Sequence, residues 1–132
     1  MSGSALKLLA LVLLCTLSPT ATAQWSRVGA LESLTLYQDH STIERVGSLR
    51  RVVEMQDLSR HDPDGVLSRR YLNEYDCATA MHRIGRMASF AGPRLSGKQL
   101  FDIDETGYWR RIPPDSLFAA GFRRMCANWV EP

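Results

Sequence analysis

The N-terminal segment constrains this chain more than any other feature of its sequence, because it sets the compartment in which the rest must fold. Lys7 precedes an apolar run over residues 8–14, and Ala21-Thr22-Ala23 provides small residues for cleavage before Gln24. This pattern is typical of a secretory signal peptide, whereas a transmembrane helix needs about 20 continuous apolar residues. We therefore predict that residues 1–23 are a signal peptide and that residues 24–132 form the exported protein. A membrane anchor is the less favoured alternative.

The exported part is long enough for one domain with a modest hydrophobic core. The whole chain has 16 Lys and Arg residues against 14 Asp and Glu residues, and loss of Lys7 with the leader brings the charge closer to neutral. Domains that bind DNA or RNA are normally strongly basic. We therefore exclude nucleic acid as a partner.

Two cysteines stay in the exported part, Cys77 and Cys126. In an oxidising compartment such a pair most simply forms one disulfide, and closing a loop of roughly 50 residues stabilises a fold by on the order of 4 kcal/mol. Two alternatives stay open: a nucleophilic Cys77 activated by His82, and a metal site, for which no paired ligand spacing is present. Lipidation of Cys15 is a third alternative, although Leu14 stands where a bacterial lipoprotein signal has a small residue.

Alternation of apolar and polar residues over much of the exported part predicts a β-sheet, because successive side chains of a strand point to opposite faces. The strand candidates are residues 25–28, 34–37, 42–45, 49–58, 66–77 and 80–90, followed by a final strand pair over residues 98–102 and 108–112. Within residues 66–77 the period places Tyr71, Tyr75 and Cys77 on one face. We expect Cys77 to point inward from a strand.

A C-terminal amphipathic helix is predicted over residues 117–128. Ser116 can cap its first turn, and apolar residues recur at a spacing of three to four, with Cys126 in the apolar stripe. Gly121 lies in the same stripe and would let helix and sheet approach closely, although glycine costs about 1 kcal/mol of helix propensity relative to alanine. A bridge from Cys77 to Cys126 would clamp the helix onto the sheet.

Arginine doublets are the most distinctive charged feature. They are Arg50-Arg51, Arg69-Arg70, Arg110-Arg111 and Arg123-Arg124, against a single lysine in the exported part. Neighbours in a strand face opposite sides of the sheet, so each strand doublet should present one guanidinium to each side. We predict that Arg51, Arg70 and Arg110 cluster on an open sheet face and bind an anionic glycan, a lipid head group or an acidic protein segment. Ordinary surface ion pairs are the alternative.

Sequence motifs for metal binding or catalysis are weak. Residues 102–107 begin like a calcium loop, but Pro113 occupies the position of the required glutamate, so we interpret the segment as an acidic turn. His40, His61 and His82 do not stand at a ligand spacing, and no nucleophile elbow, zinc-protease motif or phosphate loop is present. We predict no metal, no cofactor and no catalytic residue, with a small hydrolase as the least favoured class.

Short motifs in a set order resemble the bacterial surface-adhesin protein E family. They are Trp25, Tyr37-Gln38-Asp39, Glu74-Tyr75-Asp76-Cys77 with Arg83 and Arg86, Tyr108-Trp109, Ile112-Pro113 with Ser116, and Met125-Cys126-Ala127. The resemblance implies a small antiparallel sheet tied by a disulfide to a C-terminal helix, in a Gram-negative exported protein. For the founding member it implies a lipid anchor and adhesion to host matrix and plasma components. The sequence around Cys15 departs from the lipid-anchor pattern.

We therefore predict an α+β domain, with an antiparallel sheet of about five to six strands and one C-terminal α-helix tied to it by a disulfide. We predict a non-enzymatic, adhesin-like function that recognises a macromolecular partner such as a host extracellular-matrix or anionic cell-surface component. The alternative is a periplasmic accessory or inhibitor protein that binds an envelope partner. We expect the exported protein to be periplasmic, outer-membrane-associated or extracellular. Its exposed strand edges could pair with those of a second copy to form a homodimer.

Overall fold

A seven-stranded antiparallel sheet forms the body of the protein. The computed structural model describes residues 12, 14, 15 and 22–132, so nearly all of the predicted signal peptide lies outside the described residues. The elements are β1 (Trp25–Ala30), β2 (Leu34–Val46), β3 (Leu49–Leu58), β4 (Ser68–Asp76), β5 (Met81–Phe90), β6 (Gln99–Thr106), β7 (Arg110–Arg111) and α1 (Leu117–Met125). Strands β1 to β6 pair in chain order, and β7 also pairs with β5. The predicted α+β class is confirmed.

Helix α1 covers one face of this sheet, called here the helix side. The core on that side contains Val52 from β3 and Tyr75 from β4, both fully buried, and Met125 from the last turn of α1. Ser116 caps the helix by accepting a hydrogen bond from the backbone N–H of Ala119 at 3.3 Å. The helix is shorter than predicted, because Met125 is its last residue. Among the described residues, no helix has the length and apolar character needed to cross a membrane.

The predicted disulfide is confirmed. Cys77, just after β4, is bonded to Cys126 at the C-cap of α1, with 5.6 Å between their Cα atoms. The chain reverses at this end of β4 without glycine or proline. Ala80 takes a positive φ of 56°, and a carboxylate oxygen of Asp76 accepts the N–H of Ala78 at 3.0 Å. An acidic side chain therefore closes a turn that no glycine or proline marks in the sequence.

Two predicted strand boundaries are wrong. The polar segment at residues 38–41 is not a loop, because β2 runs through it with a register shift between Asp39 and Glu44. The hydroxyl of Thr42 accepts the N–H of Val53 at 2.9 Å and donates to the carbonyl oxygen of Asp39 at 2.7 Å. This one side chain therefore supplies hydrogen bonds that the irregular ladder lacks.

The final predicted strand pair is the second error. Residues 98–102 and 108–112 do not pair with each other; β6 and β7 lie one after the other along the same edge of β5. The N–H of Gly107 donates to the carbonyl oxygen of Ile84 at 2.8 Å, which keeps the connecting residues on β5. The acidic residues at 102–106 consequently lie in a strand and not in a turn.

The other face of the sheet is called here the open face, and among residues 22–132 it is covered only at one end, by residues 91–98. There the N–H of Arg94 donates to a carboxylate oxygen of Asp57 at 2.9 Å. The hydroxyl of Ser68 accepts the N–H of Leu95 at 2.8 Å and donates to the carbonyl oxygen of Gly92 at 2.6 Å. These bonds hold the segment against β3 and β4 and leave the rest of the open face uncovered.

Candidate functional site

The structure does not bring Arg51, Arg70 and Arg110 together. Arg51 and Arg70 both lie on the open face, but their cross-strand partners are Glu74 and Met55, respectively. Met55 and Arg51 are four residues apart on β3, which separates the two arginines by about 13 Å along the strands. Arg51 and Arg70 therefore lie at different levels along the sheet.

Arg110 lies on the helix side. It pairs across the strands with His82, and directly opposed residues of an antiparallel pair share one face. His82 in turn packs on Phe118 of α1, with ring centroids 4.6 Å apart. Of the doublet on β7, Arg111 is therefore the member on the open face. Binding roles for Arg51 and Arg110 stay predictions.

Arg51 is part of a row of charged side chains across the open face. Its guanidinium forms ion pairs with Glu44 at 3.3 Å and with Glu74 at 3.2 Å. Glu74 also accepts a hydrogen bond from Arg83 at 2.8 Å, and the Arg83 guanidinium lies 4.5 Å from the ring centroid of Trp109. The charge of Arg51 is thus neutralised by its neighbours. This agrees with the alternative that the arginine doublets form ordinary surface ion pairs.

A set of arginines that differs from the predicted one lies around Tyr37 and Met55 on the open face. Across the strands, Arg27 pairs with Tyr37, Tyr37 with Met55, and Met55 with Arg70. Arg94, from the segment after β5, places its guanidinium 4.9 Å from the ring centroid of Tyr37. We call Arg27, Arg70 and Arg94 the open-face basic patch. All three are exposed, and none forms an ion pair with any residue in the described part of the chain.

Sequence reasoning missed two members of this patch. Arg27 stands outside the doublets, and its position opposite Tyr37 depends on the β1–β2 register. Arg94 reaches Tyr37 only because the segment after β5 folds back over the sheet. The sequence signal for such a return is the Ala91-Gly92-Pro93 turn, which marks the end of a strand but not the direction in which the chain continues.

The carboxyl group of Glu54 lies beneath α1 and is fully buried. Burial raises its pKa, against hydrogen bonds donated by Tyr75, by Asn73 at 2.9 Å and by Gln38 at 2.9 Å. Buried acids with raised pKa values often mark catalytic sites. Here the helix seals the carboxyl from solvent at Gly121, whose added Cβ would lie 3.2 Å from Glu54 Oε2. The cluster therefore organises the helix–sheet interface and is not open to a substrate.

No metal-ligand cluster is found among residues 22–132 or the few leader residues with described positions, since no group of three or more His, Cys, Asp or Glu side chains converges there. The calcium-loop interpretation also does not fit, because Asp102 and Ile103 belong to a regular part of β6, where they pair with Ala88 and Met87. A strand cannot wrap its oxygens around one ion.

The sheet has two edges, β1 and β6. On β6 the side chains of Phe101 and Ile103 are 45% and 48% exposed, which is unusual for large apolar residues. An edge strand with exposed apolar side chains can pair with another strand. A homodimer through these edges stays a prediction.

Comparison with known proteins adds the family. A search of curated protein sequences finds no significant match. Three solved structures of Haemophilus influenzae protein E are similar to this chain. A selenomethionine form has a TM-score of 0.61 and 15% sequence identity, and the match covers 85% of this chain and 94% of that one. A second structure has a TM-score of 0.59 and 15% identity, and the match covers 86% of this chain and 92% of that one. Crystal form II has a TM-score of 0.56 and 13% identity, and the match covers 83% of this chain and 98% of that one.

Identities this low establish a shared fold and nothing more. The sequence profile described as surface-adhesin protein E, however, matches residues 25–127. That range starts at Trp25 and ends at Ala127, as the sequence motifs predicted. It covers the whole sheet, helix α1 and the disulfide. This chain belongs to the surface-adhesin protein E family.

Proposed function

We propose that the protein is an exported, adhesin-like binding domain that acts by surface recognition, without a chemical step, and that its open-face basic patch contacts an anionic glycan. The observation that carries this proposal is that Arg27, Arg70 and Arg94 lie on one face of the sheet, where all three are exposed and none forms an ion pair with a described residue. Family membership supports the adhesin-like class.

The spacing of the patch suits a linear polyanion. Arg27 and Arg70 lie on strands that are three positions apart, which corresponds to about 14 Å across the sheet. A glycan chain presents sulfate or carboxylate groups at repeated intervals and can reach both ends of such a patch at once. Each guanidinium can hold one such group through two parallel hydrogen bonds.

Preorganisation favours binding at this position. The Arg94 guanidinium is already placed over Tyr37, so less side-chain entropy is lost when an anion binds. The neighbouring row from Glu44 to Trp109 is neutralised internally by its ion pairs. The arginines of the patch therefore add positive charge to the open face that no ion pair with a described residue neutralises.

Heparin-affinity chromatography tests the glycan contact. We expect the triple variant R27A/R70A/R94A to elute at a clearly lower salt concentration than the wild type, because all three charge-assisted contacts are lost and such contacts are screened by salt. Melting curves should show that the variant is folded, since all three side chains are exposed.

A second triple variant, R45A/R60A/R123A, is the matched control. It removes the same number of charges from exposed arginines that lie off the patch. Equal retention losses in the two triple variants would show that only net charge matters and would overturn the site. Single R51A and R110A variants test the original predictions for those residues. If the patch binds an acidic protein segment instead, a polyglutamate column should retain the protein more strongly than heparin does.

We also propose that the protein is displayed at the cell surface. Protease treatment of intact cells should remove the protein if it is surface-displayed. Protection in intact cells, with digestion after the outer membrane is opened, would instead support the periplasmic accessory or inhibitor alternative.

A further inference from the structure

A small cavity lies on the helix side, on the opposite face of the sheet from the open-face basic patch. It has a volume of about 280 Å³ and lies where β6 passes into β7, next to the first turn of α1. Ile84 and Met87 of β5 and Phe118 of α1 form its apolar walls, and Gly107 also lines it. This volume is at the lower end of the range for ligand pockets and suits a single side chain.

His82 contributes a buried polar group to this cavity. Its side chain is only 5% exposed, and its Nδ1 lies 3.1 Å from the amide oxygen of Asn73. That oxygen is an acceptor, because the Asn73 amide nitrogen donates to Glu54 at 2.9 Å. Nδ1 of His82 therefore carries the proton, and Nε2, on the other side of the ring, is left as an acceptor.

No residue in the described part of the chain donates a hydrogen bond to Nε2 of His82. Nε2 is accessible to solvent through the cavity. The ring packs against Tyr75, with centroids 6.1 Å apart, and against Phe118 at 4.6 Å, which favours one orientation of the ring. A ligand in the cavity that carries an N–H or O–H group can therefore replace water as the donor to Nε2.

Arg110 supplies a positive charge beside this acceptor. It is the direct cross-strand partner of His82, lines the same cavity, and forms no ion pair with any described residue. Burial first, and the nearby Arg110 charge second, lower the pKa of His82, which favours the neutral ring. Glu105 lines an adjoining depression along β6 that Arg110 and Met87 also line, but Glu105 and Arg110 form no ion pair. The cavity thus places a neutral acceptor, a cation and an apolar wall within one small volume.

We propose that this cavity binds an N-acylated apolar amino acid with a free carboxylate, the chemistry of a polypeptide C-terminus. Its N–H donates to Nε2 of His82, its carboxylate pairs with Arg110, and its side chain packs on Met87 and Phe118. In such a ligand the N–H, the carboxylate and the side chain are all carried by one Cα atom. This short spacing matches His82 and Arg110, which are direct cross-strand neighbours. The free edge of β6 beside the cavity can pair with the backbone of preceding residues.

Four small probes test the three contacts separately. N-acetyl-L-phenylalanine carries all three groups, its C-terminal amide lacks the charge, 3-phenylpropanoate lacks the N–H, and N-acetylglycine lacks the side chain. In an NMR titration of the intact domain, we expect N-acetyl-L-phenylalanine to shift the Met87 methyl resonance saturably. Each of the other three probes should bind about tenfold more weakly. Equal binding of the acid and its amide, or no saturable shift at millimolar concentration, would overturn the proposal.

The doublet on β7 provides matched variants. R110A should weaken binding of N-acetyl-L-phenylalanine about tenfold, whereas R111A, which removes an identical charge on the opposite face, should leave it unchanged within twofold. Equal effects of both substitutions would contradict the site. His82→Phe keeps an aromatic ring between Tyr75 and Phe118 while it removes the acceptor. If that variant does not fold, the 3-phenylpropanoate comparison still tests the same hydrogen bond.

The source of the ligand is distinguished by one further probe. An acetylated pentapeptide ending in phenylalanine should bind more tightly than N-acetyl-L-phenylalanine if the cavity serves polypeptide ends, because the preceding residues can pair with β6. Equal affinities for the pentapeptide and for N-acetyl-L-phenylalanine would indicate that the ligand is a free N-acylated amino acid of the same chemistry. Weaker binding of the peptide would exclude a polypeptide C-terminus as the ligand.

Discussion

Gly121 is a position at which a conservative substitution should be strongly destabilising. In an exposed helix, Gly→Ala stabilises by about 1 kcal/mol. Here the added methyl group would lie 2.6 Å from the Tyr75 hydroxyl oxygen, 3.0 Å from Gln38 Nε2 and 3.2 Å from Glu54 Oε2. These three side chains are at most 1% exposed and are hydrogen-bonded to one another, so none can move aside freely.

The balance of these effects favours destabilisation. Overpacking costs roughly 1–3 kcal/mol, and displacing one buried hydrogen bond costs roughly 1–3 kcal/mol more. Set against the gain in helix propensity, the net loss for Gly121→Ala is about 3 kcal/mol. For a domain of this size the corresponding fall in melting temperature is roughly 10–20 °C. Thermal and urea denaturation of the oxidised protein measure both quantities.

A double-mutant cycle with Tyr75→Phe isolates the steric cause. Removing the hydroxyl takes away the atom nearest to the new methyl group, so Gly121→Ala should cost at least about 1 kcal/mol less in the Tyr75→Phe background. Ala120→Gly is the control for propensity alone and should cost about 1 kcal/mol. A Gly121→Ala variant as stable as the wild type would refute the close approach of helix and sheet.

The remaining predictions concern the disulfide, pH and the helix cap. Replacing Cys77 and Cys126 by alanine should lower the free energy of unfolding by about 4 kcal/mol, measured by urea denaturation against the oxidised wild type. The lowered pKa of His82 means that the folded protein binds a proton less readily than the unfolded chain. Stability should therefore fall as the pH drops below about 6.5, by at most about 1.4 kcal/mol per pH unit from this group, and His82→Phe should flatten that slope. Ser116→Ala should cost about 1 kcal/mol in thermal melts, and Ser116→Asp should restore most of it.

Local patterns in the sequence determined a large part of this structure. Period-two alternation placed Tyr71 and Tyr75 on one face of β4, although Cys77 lies just after the strand and not in it, and the apolar stripe of the helix included Cys126 and Gly121. Ser116 marked the helix start, and the two cysteines of the exported part predicted the bridge. These features depend on residues within one or two turns of each other, or on a pairing with no competitor. The physical information needed to predict them is therefore contained in short segments.

The tertiary structure decided which arginines meet. Adjacent residues of a strand always face opposite sides, so the sequence could predict that each doublet is split, but not which member faces the helix. That choice depends on strand register: Arg110 faces the helix because β7 pairs with His82, although the sequence predicted a partner in residues 98–102. Arg94 joins Arg27 and Arg70 only because a segment folds back over β3 and β4. Register and fold-back are set by contacts between residues far apart in the chain, and only the packed sheet and helix define them.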